Sequence, residues 1–200
     1  MSENGIAKIK VVLCGVSPLL MHNRQLADPM NKWAKDIKSI SKKQKKTDED
    51  YQNLREWEWY GGIYHDEELG PYAPAEWLEG VMRKGAPQVE KSLWKKIQSG
   101  VTVDEDRIKL EYNGPRTLKE LFAKSSFVDV RPARIGGSTV MRTRPRFQHP
   151  WYLTFHLLIN RGQINPATVR ATLEKGGSYC GIGDYTPKFG RFSVMNYDEV

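Results

Sequence analysis

Residues 151–177 read WYLTFHLLINRGQINPATVRATLEKGG and contain, in order, a strand, a turn and a helix. Trp151 to Ile159 is rich in aromatic and branched apolar side chains, which predicts a strand. Asn165-Pro166 is a helix-start signal, because a capping side chain precedes a proline at the first helical position. We expect this helix to end at Gly176-Gly177.

The elements on either side of this unit complete an α+β pattern. A closing strand is predicted from Arg191 to Met195, and Ile6 to Leu13 (IAKIKVVL) alternates as a first strand. Between them, Pro74 opens a helix, and short strands are predicted at 101–103 and 107–111. With insertions set aside, the order is strand, helix, strand, strand, helix, strand. This order predicts an α+β, ferredoxin-like core, the split βαβ arrangement that RRM domains also have.

The chain is predicted to be one ferredoxin-like domain, residues 1–200, with a helical insertion at 24–72. Within the insertion, Asp28-Pro29 is expected to start a first helix. A second helix is predicted from Asp48 to Tyr60. The two would form an inserted helical hairpin.

Positive charge is concentrated in one segment of the sequence. The 200 residues carry a net charge of +7. Residues 125–194 contain ten Lys and Arg against three acidic residues, whereas the remainder contains 21 of each sign. A surplus confined to one segment is what a polyanion-binding face requires. We therefore expect a nucleic acid as the partner.

Several other classes of protein do not fit the composition. No apolar run is long enough for a membrane span, and the short polar start, Met1 to Gly5, is not typical of a signal peptide. Cys14 and Cys180 are too few for a disulfide framework, and the four histidines lack metal-binding spacing. We expect a cytoplasmic protein without membrane contact, metal or cofactor.

The segment from Thr139 to Phe147 (TVMRTRPRF) places three arginines at intervals of two. In a strand they would project from one face about 7 Å apart, which nearly matches the phosphate spacing of a nucleic-acid strand. A turn at Gly136-Gly137 would join this strand to a neighbouring arm and form a protruding β-hairpin. The alternative is a soluble hairpin with a charged outer face. The arginines predicted to be exposed and to contact phosphates are Arg131, Arg134, Arg142, Arg144 and Arg146.

The glycine-rich segment at residues 176–190 (GGSYCGIGDYTPKFG) is a second candidate contact. Backbone amides beside glycine can approach phosphates closely, because no Cβ intervenes. Aromatic side chains can stack on bases and basic ones can neutralise phosphates. The alternative is a tight connection from helix to strand that needs glycine for positive φ. The candidate residues are Gly181, Gly183, Tyr185, Lys188, Phe189 and Arg191.

Three segments together resemble the RAMP superfamily of CRISPR proteins. The first strand runs into Gly15 to Leu20 (GVSPLL), and Tyr72 to Arg83 (YAPAEWLEGVMR) resembles the family's helix with the pattern Leu-x-Gly-x-x-Arg. The glycine-rich loop ends in Lys188 to Phe192 (KFGRF), where RAMP proteins keep such a loop. The resemblance implies a ferredoxin-like fold that binds single-stranded RNA and assembles side by side along it. The basic end of the helix, Arg83-Lys84, joins the candidate contacts.

These features predict a non-enzymatic protein that binds single-stranded RNA or DNA, as a homo-oligomer or within a multi-subunit assembly. A phage or plasmid protein that uses the fold on single-stranded DNA would have the same signature. One alternative is a metal-independent RAMP-type endoribonuclease with His22, after the first strand, as general base. The other is a structural or interaction protein whose basic face binds an acidic protein partner.

Overall fold

The ferredoxin-like α+β fold predicted from the sequence is confirmed in the computed structural model, which describes residues 5–200. The first strand is β1 (Ile6–Gly15), and it lies between β10 (Phe192–Glu199) and β9 (Trp151–Asn160). The second core strand is divided into β5 (Val101–Val103) and β6 (Arg107–Tyr112), which both pair with β9. All these strands are antiparallel.

The core lies on one face of this sheet because the strands alternate buried and exposed side chains. In β9 every second residue from Trp151 to Ile159 is buried, and β1 follows the same rule. Two helices cover the buried face, α3 (Ala75–Gly85) and α6 (Pro166–Tyr179). They correspond to the two helices of the split βαβ pattern.

Glycines allow α3 and α6 to approach each other closely. A Cβ on Gly85 would lie 2.4 Å from the carbonyl oxygen of Thr172, and one on Gly176 would lie 2.7 Å from that of Val81. Since Gly176 serves helix packing, α6 continues through it and Gly177 to Tyr179. The prediction that this helix ends at Gly176-Gly177 is wrong.

A second, three-stranded sheet has the order β2 (Leu19–Leu20), β8 (Ser138–Phe147) and β7 (Val128–Ile135). β7 and β8 form the predicted hairpin, and their turn places Gly136 and Gly137 at φ values of 55° and 87°. Glycine adopts such values without steric cost.

The helical hairpin of α1 (Lys32–Ser41) and α2 (Asp48–Gly62) lies between β2 and the next strand in the sequence, and α2 packs against β8. α1 begins later than predicted, because the Asn31 side chain caps the amide of Trp33 at 2.9 Å. Asp28 instead accepts a hydrogen bond of 2.8 Å from the amide of Met30 within a turn.

The remaining elements extend the framework. β3 (His65–Asp66) and β4 (Gly70–Pro74) lengthen the main sheet beyond β6, so that Gly70 to Tyr72 lie in a strand. α4 (Leu93–Gly100) follows α3, and α5 (Leu118–Ala123) follows β6.

No helix in the described part of the chain has the length and apolar character needed to cross a membrane. The start of the chain, in which we expected no signal peptide, lies outside the described residues as far as residue 4.

Candidate nucleic-acid interface

An open groove of about 690 Å³ runs along α3. One wall is the face of α3 from Glu76 to Lys84, and the opposite wall is the loop segment 181–184 that follows α6. His22 and Trp94 also line the groove. A second cavity of about 330 Å³ continues the groove along the N-terminal part of α3. The fold therefore brings together three regions that are far apart in the sequence, including the predicted contacts Arg83, Lys84, Gly181 and Gly183.

Three basic side chains of this groove have no carboxylate partner within the described part of the chain. Arg24, Arg83 and Lys84 make no ion pair with any residue in the range 5–200. Of the two acids that line the groove, Asp184 is already paired with Arg144. The groove consequently has a surplus of free positive charge, which attracts a polyanion.

Two tryptophans line the groove, and neither was predicted as a site residue. The ring of Trp77 packs edge-to-face against Tyr64, with centroids 5.1 Å apart. The Tyr64 hydroxyl accepts a hydrogen bond of 3.2 Å from the amide of Arg24. Trp94 is 41% exposed. Aromatic side chains in a positively charged groove are what single-stranded nucleic acids stack upon.

The sequence pattern contained a signal for Trp94. Leu93 and Ile97 of α4 are spaced by four residues and are buried. Trp94 follows Leu93 directly, so it lies about 100° around the helix from that buried side. An indole displaced from the apolar side of a short helix is a candidate for a ligand contact.

His22 faces the groove in a fixed position, because the backbone is hydrogen-bonded on both sides of it. The amide of Met21 donates to the carbonyl of Pro145 at 3.0 Å, and the amide of Asn23 donates to that of Gly62 at 2.9 Å. Partial desolvation lowers the pKa of His22 below its usual value, the guanidinium of Arg144 adds to this effect, and Asp184 opposes it. The lowered pKa favours the neutral imidazole, which is the form that can accept a proton.

The loop glycines line the groove, but the fold itself requires them. Gly183 has φ of 76°, and a Cβ there would lie 2.4 Å from the carbonyl oxygen of Leu20. Gly181 has φ of 73°, with the carbonyl oxygen of Phe189 at 2.7 Å from such a Cβ. Both glycines therefore agree with the alternative interpretation of this segment, a tight connection from helix to strand that needs positive φ.

The other predicted residues of the loop lie outside the groove. Phe189 is buried, and the guanidinium of Arg131 lies 4.4 Å from its ring centroid. The prediction that Phe189 presents its ring to a base is therefore wrong. Tyr185, Lys188 and Arg191 are exposed on the surface.

The arginines of β8 are not free, contrary to the prediction that they are exposed. Arg142 pairs with Glu58 of α2, and Arg144, only 7% exposed, pairs with Asp184. The charge count within residues 125–194 could not reveal Glu58, because that partner lies 84 positions away.

The remaining hairpin arginines divide into paired and free. Arg146 donates to the carbonyl of Ser126 at 3.0 Å, and Arg131 donates to Asp129 at 2.6 Å. Arg134, near the tip, is exposed and makes no ion pair with any residue of the described part of the chain. Of the five hairpin arginines, Arg134 is the one that keeps its predicted exposure.

Comparisons with known proteins place this fold. No family profile and no curated protein matches the chain. A chain in the cryo-EM structure of the type III-B Cmr-β bound to cognate target RNA is similar, with a TM-score of 0.56 and 10% identity over 98% of this chain. The match covers 61% of the length of that chain. Cmr6 from Pyrococcus furiosus, a crystal structure, has a TM-score of 0.45 and 10% identity over 97% of this chain and 100% of that chain. The likeness to the Cmr-β chain agrees with the RAMP-type fold that the sequence motifs implied.

Proposed function

We propose that this chain binds single-stranded RNA, without cleaving it, in the groove along α3. The observation that carries the proposal is the state of the basic side chains. Arg24, Arg83 and Lys84 form no ion pair with residues 5–200 and line a groove that also holds two tryptophans, whereas the arginines of β8 are engaged by the protein itself. A basic groove with aromatic platforms is the common solution for binding a single strand.

We propose RNA as the ligand, and not single-stranded DNA, because the similar Cmr-β structure is bound to target RNA. Because the RAMP resemblance of the sequence motifs implies assembly along RNA, we further propose that this chain works as one subunit of a larger complex. Contacts through Arg and Lys are mainly electrostatic and carry little sequence information, so affinity should be weakly sequence-specific.

The direct test measures binding of labelled single-stranded RNA, single-stranded DNA and duplex across a series of salt concentrations. The test variant is Arg83→Gln/Lys84→Gln. The matched control is Lys35→Gln/Lys38→Gln, because both lysines are exposed on α1, outside the groove, and the charge change is identical.

We expect the groove variant to bind RNA more weakly and to reduce the slope of log affinity against log salt by about 1.4, the value for two lost contacts on a single strand. The control should keep most of the affinity and slope of the unaltered protein. Equal losses in both variants would show that binding depends on net charge and would remove the groove from the proposal.

A second candidate function, RNA cleavage, is favoured by one observation: His22 faces the same groove, where desolvation lowers its pKa and so favours the neutral imidazole. A metal-independent ribonuclease needs such an imidazole as general base. Incubation of labelled RNA with the protein in EDTA, with His22→Ala beside it, separates the two proposals. Stable RNA supports the binding function, and cleavage that His22→Ala abolishes while RNA binding persists replaces it with the catalytic one.

A further inference from the structure

Gly80 lies in the middle of α3, on the wall of the groove. Glycine is the least favourable residue for a helix interior apart from proline. A glycine in this position therefore calls for a specific reason, either a close contact within the protein or a close approach from outside.

No contact with residues 5–200 requires this glycine. Its φ is not positive, and a Cβ added to it would meet no atom within 4 Å. The other glycine of the same helix is different, because a Cβ on Gly85 would lie 2.4 Å from the carbonyl oxygen of Thr172. Helix packing explains Gly85 and leaves Gly80 unexplained.

Because Gly80 has no side chain and lies between larger side chains on the same face of α3, it leaves a notch in that face. Trp77 precedes it by three positions and Lys84 follows it by four, so all three share one face of α3. Trp77 and Lys84 are about 10 Å apart along the helix axis. Between a large indole and a long basic side chain, the helix backbone is open to the groove.

We propose that this notch over Gly80 seats one nucleotide of a bound single strand, with its base against Trp77 and its phosphate at Arg83 and Lys84. The inference rests on the proposed function and assigns a place to one unit of its ligand. Tyr64 holds the Trp77 ring edge-to-face, so the stacking surface is rigid. Arg24 and Glu76 line the Trp77 end with opposite charges, whereas Arg83 and Lys84 are adjacent at the other end and form no ion pair with residues 5–200, so the phosphate belongs there. Since stacking accepts any base, the notch recognises a nucleotide and not a sequence.

The test compares Gly80→Ala and Gly80→Gln with the control Ala167→Gln. Ala167 is exposed in the first turn of α6, at the opposite end of that helix from the glycine-rich loop. Melting temperature and affinity for a labelled single-stranded RNA are measured for each variant and for the unaltered protein.

Gly80→Ala should raise the melting temperature by about 2–4 °C, because it removes a helix-breaking residue without a clash. Gly80→Gln should remain folded and lower RNA affinity by about tenfold or more, the effect of losing one stacked base. Ala167→Gln should bind as the unaltered protein does.

The outcomes separate this inference from the proposed function. Full affinity of Gly80→Gln, together with weak binding by Arg83→Gln/Lys84→Gln, would overturn the notch and leave the groove intact. A lower melting temperature for Gly80→Ala would assign the glycine to the fold and also overturn the notch. If the unaltered protein binds no single-stranded RNA, both proposals fail.

Discussion

The contacts that Arg144 makes within the protein show that it has a structural role, although a guanidinium is also a good ligand for phosphate. Its Nε donates to Asp184, and its guanidinium lies 5.8 Å from the ring centroid of Tyr185. Its Nη1 is buried and has no hydrogen-bond partner in the described part of the chain. A guanidinium so enclosed is costly to leave unpaired. Arg144 therefore attaches the glycine-rich loop to the hairpin and is not presented to a phosphate.

Gly183 provides a prediction about stability. Gly183→Ala should lower the free energy of unfolding by about 1–3 kcal/mol, because the residue has positive φ and its Cβ would meet the Leu20 carbonyl. Denaturant unfolding measures the change, and Gly80→Ala is the matched control, with stability expected to rise by about 0.5–1 kcal/mol. A Gly183→Ala protein as stable as the unaltered one would contradict the assignment of this glycine to the fold.

His22 provides a prediction about pH. Because its pKa in the folded protein lies below the usual 6.5, the unfolded chain takes up the proton first as the pH falls. Titration of His22 should therefore lower the free energy of unfolding as the pH falls from about 6.5 to the lower pKa of the folded protein. His22→Gln should show a smaller shift in urea midpoint than the unaltered protein between about pH 7.5 and about pH 5.5. An unchanged shift would mean that His22 does not titrate with folding.

At the level of helices and strands, the sequence predicted the elements whose positions depend on neighbouring residues in the chain. Alternation located β1 and β9, and the Asn165-Pro166 signal located the start of α6. The failures involved partners distant in the sequence. Gly176 stays helical because α3 packs against it, and the β2 strand of two residues is too short to leave a periodic pattern.

The candidate site was predictable only in part for the same reason. Arg83 and Lys84 were named as contacts from the sequence, but the two tryptophans that line the groove with them were not. Only the fold brings Trp77 and Trp94 into the groove that the glycine-rich loop also lines. The hairpin arginines were misjudged because Glu58 comes from a different element.

The attachment of the hairpin to α2 yields a prediction at this level. The buried carboxylate of Glu58 accepts from Arg142 and, at 2.8 Å, from the amide of Thr143. Glu58→Gln should destabilise the protein by about 1–3 kcal/mol, since hydrogen bonds to a charged group are lost. Hydrogen exchange at residues 139–143 should become faster. Glu56→Gln, an exposed change on the same helix, should alter neither quantity, and identical behaviour of the two variants would argue against the anchor.

The same contacts change what an arginine triple variant would mean. Replacement of Arg142, Arg144 and Arg146 by Ala would remove three attachments of the hairpin, so a loss of RNA binding could follow from a loss of structure. Arg134→Ala is the cleaner test of the hairpin as an RNA contact, because that side chain is exposed at the tip.

Across the whole molecule, the groove is a better binding face than the open side of the sheet. Ferredoxin-like RRM domains bind RNA on the sheet surface through stacked aromatics. Here that surface presents Tyr152, and the ammonium of Lys8 is held by Asp104 at 2.6 Å. Lys10 and Lys109 are also exposed on this surface, but Lys10 lies opposite the exposed Asp198 in the β1–β10 pairing, and Lys109 is two residues from the exposed Glu111 on β6. On the helix side, Arg83 and Lys84 form no ion pair with residues 5–200 and line a groove together with two tryptophans. The surface that offers both charge and stacking is therefore the groove.

Two exposed apolar side chains outside the groove bear on assembly. Met141, on the hairpin, is 56% exposed, and Met195, on the edge strand β10, is 58% exposed. An exposed edge strand is a surface that pairs readily with another chain. An exposed methionine on β10 and another on the hairpin are the side chains with which we test the sequence-based expectation that copies of this chain assemble side by side along RNA.

The final prediction concerns the mass of the complex with RNA. If copies bind side by side, the mass should grow with strand length in steps of the 23.0 kDa chain. Single-strand sites of roughly 4–16 nucleotides allow few copies on about 15 nucleotides and several on about 60. Light scattering after size-exclusion chromatography measures both complexes, and Met141→Ser/Met195→Ser tests the apolar contacts. We expect this variant to bind the short strand normally but to fill the long strand with fewer copies at equal protein concentration. One copy on both strand lengths would mean that the chain binds as a single unit and that any assembly requires other subunits.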